Sequence, residues 1–189
     1  DYAQSEHIIQ ELLKENGAAG VSETVAGASG AGIEAPPGDD EQTPETYVGY
    51  RRGENFASPE RVAEDSTKTY KEPASLSLNQ WSLSGAWNVG AESALLAGTP
   101  GKIAFRFHSR DLHFVLGLAD NEKPVRFVVK LDGNAPGNDH GVDSTPDGTG
   151  VVRWPRLYQL IRQKGPVVDR TFEIEFLDPG VRAFVFTFG

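Results

Sequence analysis

A chain of 189 residues with 38% hydrophobic and 10% aromatic content can bury a substantial core, and the absence of cysteine removes disulfides, thiolate nucleophiles and cysteine-based zinc sites together. The net charge of −9 is uneven: residues 1–46 carry ten acids against Lys14 alone, whereas residues 47–189 carry seventeen acids and seventeen bases. A balanced domain behind an acidic leader lacks the basic footprint that attracts nucleic acid or an anionic membrane, and no apolar run approaches the roughly 20 residues of a bilayer span.

The chain begins at Asp1 and contains no methionine, which predicts a piece of a longer protein. Its first element is a short helix over "SEHIIQELLKENG": Ser5 suits the N-cap, Ile8, Ile9, Leu12 and Leu13 recur on one face, and Gly17 suits the C-terminal cap. An isolated helix of this length is marginal in water, so the stripe predicts a partner, either a preceding domain or the β domain that follows. Residues 17–46 are rich in Gly, Ala, Pro and acid and read as a linker or extended strap. One helical turn is expected at "SPERVAED".

From there the apolar period changes from helical to alternating. Candidate strands follow in order at "WSLSGAWNVG", "ESALLA", "KIAFRFHSR", "DLHFVLGL", "PVRFVVKLDG", "GVVRW", "RLYQLIRQ", "RTFEIEFLD" and "VRAFVFTFG". Inward faces are predicted for Ile103, Phe105 and Phe107, for Val125, Phe127, Val129 and Leu131, for Phe172, Ile174 and Phe176, and for Phe184, Phe186 and Phe188. So many short strands separated by turn clusters such as "AGTPG", "DNEK" and "KGP" predict an all-β domain, an antiparallel β-sandwich of jelly-roll type over residues 47–189.

The segments "PVRFVVKLDG", "HGVD" and "RLYQLIRQKGPVVDRTFEIEFLDPGVRAFVFTFG", with "TPETYVGYRRGENFASPE" upstream, resemble the C-terminal region of DipZ-type proteins over roughly residues 43–189. That resemblance implies a parent protein with a CcdA-like membrane part, an extracytoplasmic thioredoxin-like domain, and a C-terminal sandwich of the galactose-binding or carbohydrate-binding-module kind. It would make residues 1–16 the last helix of the thioredoxin-like domain and place the chain in the periplasm, tethered through the parent, in thiol-disulfide exchange and cytochrome c biogenesis. The redox Cys-x-x-Cys belongs to the preceding domain, so no catalytic residue carries over to any position here.

Several constellations remain to be weighed on their own chemistry. In "LDGNAPGNDHGVDSTPDGTG", Asp132, Asn134, Gly137 and Asp143 fall in an EF-hand-like register, yet Pro136 occupies a ligand position and strands flank the loop. An irregular structural calcium site at Asp132, Asp139 and Asp143 stays open beside the plainer reading, in which Asp, Asn, Gly and Pro only turn the chain. His140 could ligate a metal or act as a base, and His108 and His113 lie on adjacent candidate strands, but no transition-metal spacing supports them. Asp132, Asp143, Glu173 and Glu175 are the acids available to a carboxylate-dependent glycoside hydrolase.

Sugar recognition needs an aromatic platform and planar polar side chains. Trp154 and Tyr158 could supply the first and Arg106, Gln159, Arg162 and Asp143 the second, with Tyr158 and Arg162 sharing one face of a regular strand. Trp81 and Trp87, six apart, are expected in the core. The same polar face could instead meet the thioredoxin-like domain of the parent or a second copy of the chain. The functional expectation is a non-catalytic accessory module with no cofactor, with an independent glycan-binding module and the hydrolase as alternatives.

Overall fold

The computed structural model describes residues 2–18, 20–22, 24, 40–119 and 123–189. It divides into two compact units, Asp1–Ala35 and Pro36–Gly189. Most of the expected linker and the start of the "DNEK" turn lie outside the described residues.

The first unit holds helix α1, Tyr2–Glu15. It begins before Ser5, so that residue is internal and does not cap the N-terminus. The C-terminal end follows the expected chemistry: the Gly17 amide donates to Lys14 O and the Ala18 amide to Leu13 O, the paired closure that lets a glycine end a helix. Within this unit Ile8, Ile9, Leu12 and Leu13 are exposed, while Gln10 is buried and its amide donates to Glu6 Oε1 and Thr24 O.

The second unit is built from eleven strands among the described residues: β1 Thr46–Tyr47, β2 Thr67–Tyr70, β3 Trp81–Val89, β4 Ala94–Leu96, β5 Gly101–Phe107, β6 Asp111–Leu118, β7 Val125–Leu131, β8 Thr149–Val152, β9 Arg156–Arg162, β10 Arg170–Phe176 and β11 Val181–Phe188. Every pairing between named strands is antiparallel. One layer runs β8-β7-β10-β5 and ends on residues 81–84 of β3; the other continues from residues 85–89 of β3 through β4, β11, β6 and β9, with β2 on β3 and β1 on β11. Successive strands from β4 to β11 cross between the layers at every step except β7 to β8, which gives the jelly-roll arrangement.

β3 changes layer at Gly85. Its φ of +95° suits glycine, and a Cβ there would lie 2.5 Å from the Pro100 carbonyl oxygen, so the bend and the close approach both demand a missing side chain. Trp81 and Trp87 therefore serve different layers instead of one regular strand face, and both are buried, their indole N–H groups donating to Glu54 O and Ser84 O.

Alternation fills the interior as expected for β5, β7 and β10. Phe172 stands opposite Phe105 and Leu131, and Ile174 opposite Ile103 and Val129. Phe186 of the other layer stacks on Phe114 and packs within 5.0 Å of Phe105 and edge-on to Phe172, so its ring joins the two layers. A bulge between Ala183 and Val185 breaks the predicted Phe184-Phe186-Phe188 face: Val181, Ala183 and Phe186 are buried, whereas Phe184 turns outward beside Gly117 and Pro155.

"SPERVAED" forms no helical turn. It bends at residues 58–60 and then bridges at Glu64 to Val89, with the Tyr70 hydroxyl accepting from the Ala63 amide and Glu60 accepting from the Lys71 amide. The Tyr70 hydroxyl thus takes an Ala63 amide that a helical turn would have bonded within itself.

Candidate binding face

β9 is the edge of its layer, and its register decides which predicted site residues meet. Leu112 pairs with Ile161 but His113 pairs with Gln159, so Leu160 is an extra residue. The bulge inverts the alternation: Tyr158, Leu160 and Ile161 are all buried, and Arg162 faces out. Tyr158 and Arg162 consequently do not share a face. The Tyr158 hydroxyl donates to Trp154 O and accepts from the Arg153 amide, and its ring lies in the core, so it is no stacking platform.

Trp154, by contrast, is 55% exposed in the turn before β9, with the Arg156 guanidinium 6.0 Å from its ring centre and 3.8 Å from that of Tyr158. Arg156 reaches Asp143 with both terminal nitrogens, at 2.8 and 2.5 Å, and Asp143 also accepts from the Gln159 amide. The hydrogen bond to Asp143 holds the Arg156 pKa above the usual guanidinium range despite partial burial. This pair locks loop 139–144 onto the β9 edge, where the amides of Gly141 and Asp143 donate to Leu160 O and Gln159 O.

Next along the outer face, Asp111 is buried at 2% exposure and takes Arg162 Nε at 2.6 Å and Arg110 Nη2 at 2.8 Å. Beside them Thr187, His113 and Gln159 stand in one row across β11, β6 and β9. Burial pushes the His113 imidazole below its ordinary pKa, opposed by Asp111, and neither His113 Nε2 nor Thr187 Oγ1 has a hydrogen-bond partner.

The remaining predicted residues are dispersed. Arg106 lies on the other layer, donating to Thr171 Oγ1 and Asp169 Oδ2 at 3.4 Å each. Asp132 and Asp139 both turn toward Arg170, at 2.5 and 3.4 Å, while Asp143 faces Arg156, so the trio considered for calcium is not brought together. Among the described residues no three His, Asp or Glu side chains are placed to hold a metal ion. His140 Nδ1 lies 2.8 Å from both Gly141 O and Ser144 O, which fixes the ring to its own loop. His108 pairs with Asp169 at 2.7 Å, on the opposite layer from His113. Of the four acids proposed for hydrolysis three are engaged, Asp132 with Arg170, Asp143 with Arg156 and Glu173 with Lys102, while Glu175 stands half-buried on β10 two residues from Glu173.

Fold and surface together define an all-β jelly-roll module whose loops are fastened by arginine-carboxylate pairs. The chain belongs to the thioredoxin-like C-terminal domain family, whose model matches residues 43–189, and its role is that of an accessory module. No curated protein matches it. Among solved structures it is similar to a family two carbohydrate esterase from Clostridium thermocellum in complex with cellohexaose, at 12% identity and a TM-score of 0.40 over 52% of this chain and 27% of that one. It is also similar to an Arthrobacter globiformis T6 isomalto-dextranase complexed with panose, at 10% identity and a TM-score of 0.28 over 56% and 21%. The chain thus spans about a quarter of the length of those structures.

Proposed function

We propose that the sandwich is the non-catalytic C-terminal module of an extracytoplasmic, DipZ-type thiol-disulfide oxidoreductase, and that it positions the parent's thioredoxin-like domain through the β9 edge. The observation that supports this is the exposure of three large apolar side chains along that edge, Trp154, Leu157 and Val142, at 55%, 39% and 52%. Nearby, Asp143 is already paired with Arg156 and Asp111 with Arg162. A rim of apolar groups among neutralised charges favours a protein surface over a charged ligand.

The test uses the parent's thioredoxin-like domain joined to this chain. Replacing Trp154 and Leu157 together by Ser should increase amide exchange on the thioredoxin-like surface and widen the interdomain separation in small-angle scattering. Unchanged exchange and separation would count against the proposal. Trp154 also supports a second reading, a glycan platform; loss of glycan-array signal in Trp154→Ala, with interdomain exchange unaltered, would favour that reading instead.

A further inference from the structure

Where β1 lies on β11, the surface carries a cleft of about 230 Å³, above the ~150 Å³ that holds a benzene ring and below the roughly 300–1,000 Å³ of sites for drug-sized ligands. Phe184 and the ring of Tyr47 wall it, with Ala91 beside them. The bulge in β11 is what turns Phe184 out of the sandwich to line this cleft. The other walls are backbone held close to backbone. The amides of Tyr50 and Arg51 donate to Gly90 O and Ala91 O, the Gly53 amide donates to Gly49 O, and a Cβ on Gly49 would lie 2.4 Å from the Glu92 carbonyl carbon. Walls fastened in this way stand before a ligand arrives, which spares the cost of ordering them.

The charges of the cleft do not cancel. Arg51 is engaged by Glu92, Nη1 to Oε1 at 2.9 Å, and the Glu45 carboxylate outside the cleft accepts from the Tyr47 hydroxyl. Arg52 has no carboxylate partner among the described residues. Its guanidinium carbon lies 3.5 Å from the centre of the Tyr47 ring, so the cation rests against the face of the aromatic. A guanidinium donates within its own plane, and one seated on a ring keeps its fork of N–H groups directed at a planar acceptor such as a carboxylate. A cationic ligand would be repelled here, and a neutral one would leave the fork unused.

We infer that this cleft binds a carboxylate borne on an apolar group, with the apolar part against Phe184 and Ala91 and the carboxylate on the Arg52 fork. Two sources share that chemistry, a free aromatic acid and the C-terminal carboxylate of a peptide ending in an apolar residue. None of these residues belongs to the β9 edge, so this inference and the docking role proposed above fail separately.

The test is a heteronuclear NMR titration of the intact chain with hydrocinnamate and with N-acetyl-glycyl-phenylalanine, each beside its own carboxamide. Saturable shifts at the amides of Gly49, Arg52 and Ala91 are expected with at least one acid, weakening as salt is added, with the matching carboxamide binding about tenfold more weakly. Tighter binding of the peptide than of hydrocinnamate assigns the site to peptide C-termini; parity or the reverse assigns it to free acids. Arg52 is exposed, so Arg52→Gln should leave the melting temperature unchanged while weakening binding of the acid about tenfold. Phe184→Ala should weaken acid and carboxamide alike. The inference is overturned if neither acid moves those amides, if the carboxamides bind as well as the acids, if either variant binds as well as the original chain, or if the shifts centre on Arg162 or Trp154.

Discussion

Phe184 and Phe186 are the same residue type two positions apart on one strand, and regular alternation would give them equal weight. The bulge separates them. Phe186 is fully buried, stacked on Phe114 at a ring separation of 3.7 Å and touching Phe105 and Phe172 of the facing layer. Truncating it to alanine removes contacts in both layers at once, and a buried Phe→Ala change costs about 3–5 kcal/mol. Against a domain stability of roughly 5–15 kcal/mol, that is a third or more of the total for most values in the range. Phe184 instead lines a surface cleft with Tyr47, Arg51, Arg52 and Glu92, so Phe184→Ala should cost about 1 kcal/mol or less. Urea unfolding followed by tryptophan fluorescence measures both, since Trp81 and Trp87 are buried reporters. Equal losses for the two variants would refute the assigned bulge and the packing built on it.

Two further outcomes follow from the same geometry. Burial depresses the His113 pKa, so the folded state prefers the neutral ring: its contribution is complete above the unfolded value of 6.5 and is lost as pH falls toward and through the lower folded value. His113→Gln should flatten the fall in melting temperature below about pH 6.5, and an unchanged slope would remove His113 from the acid response. Gly85→Ala should lower stability by at least about 2 kcal/mol, because a positive φ is compounded by a contact of 2.5 Å to the Pro100 oxygen; a melting temperature within error of the original would contradict the bend.

The strands that could be read from sequence are those whose inward residues repeat without interruption. β5, β7 and β10 alternate cleanly, and "DLHFVLGL" coincides with β6. β1 and β2, two and four residues long, carry too little apolar pattern to register, and they form by pairing with β11 and β3. The bulges at Phe184 and Leu160 were invisible because an extra residue is defined by the partner strand, not by its own sequence. The same non-locality governed the site. Trp154 was identifiable as a candidate surface aromatic, but Tyr158 was lost to the core through the inverted register. The pairing of Asp143 with Arg156, and of Asp132 with Arg170, depends on loops folding back over 13 and 38 positions.

The passage of β3 from one layer to the other has a consequence for how the domain comes apart. A single ribbon stitched through both leaves means that neither can peel away while the other stays closed. Slow-exchanging amides on either side of Gly85 should therefore become exchangeable in one concerted opening, at a common free energy, and a half-open sandwich should not accumulate.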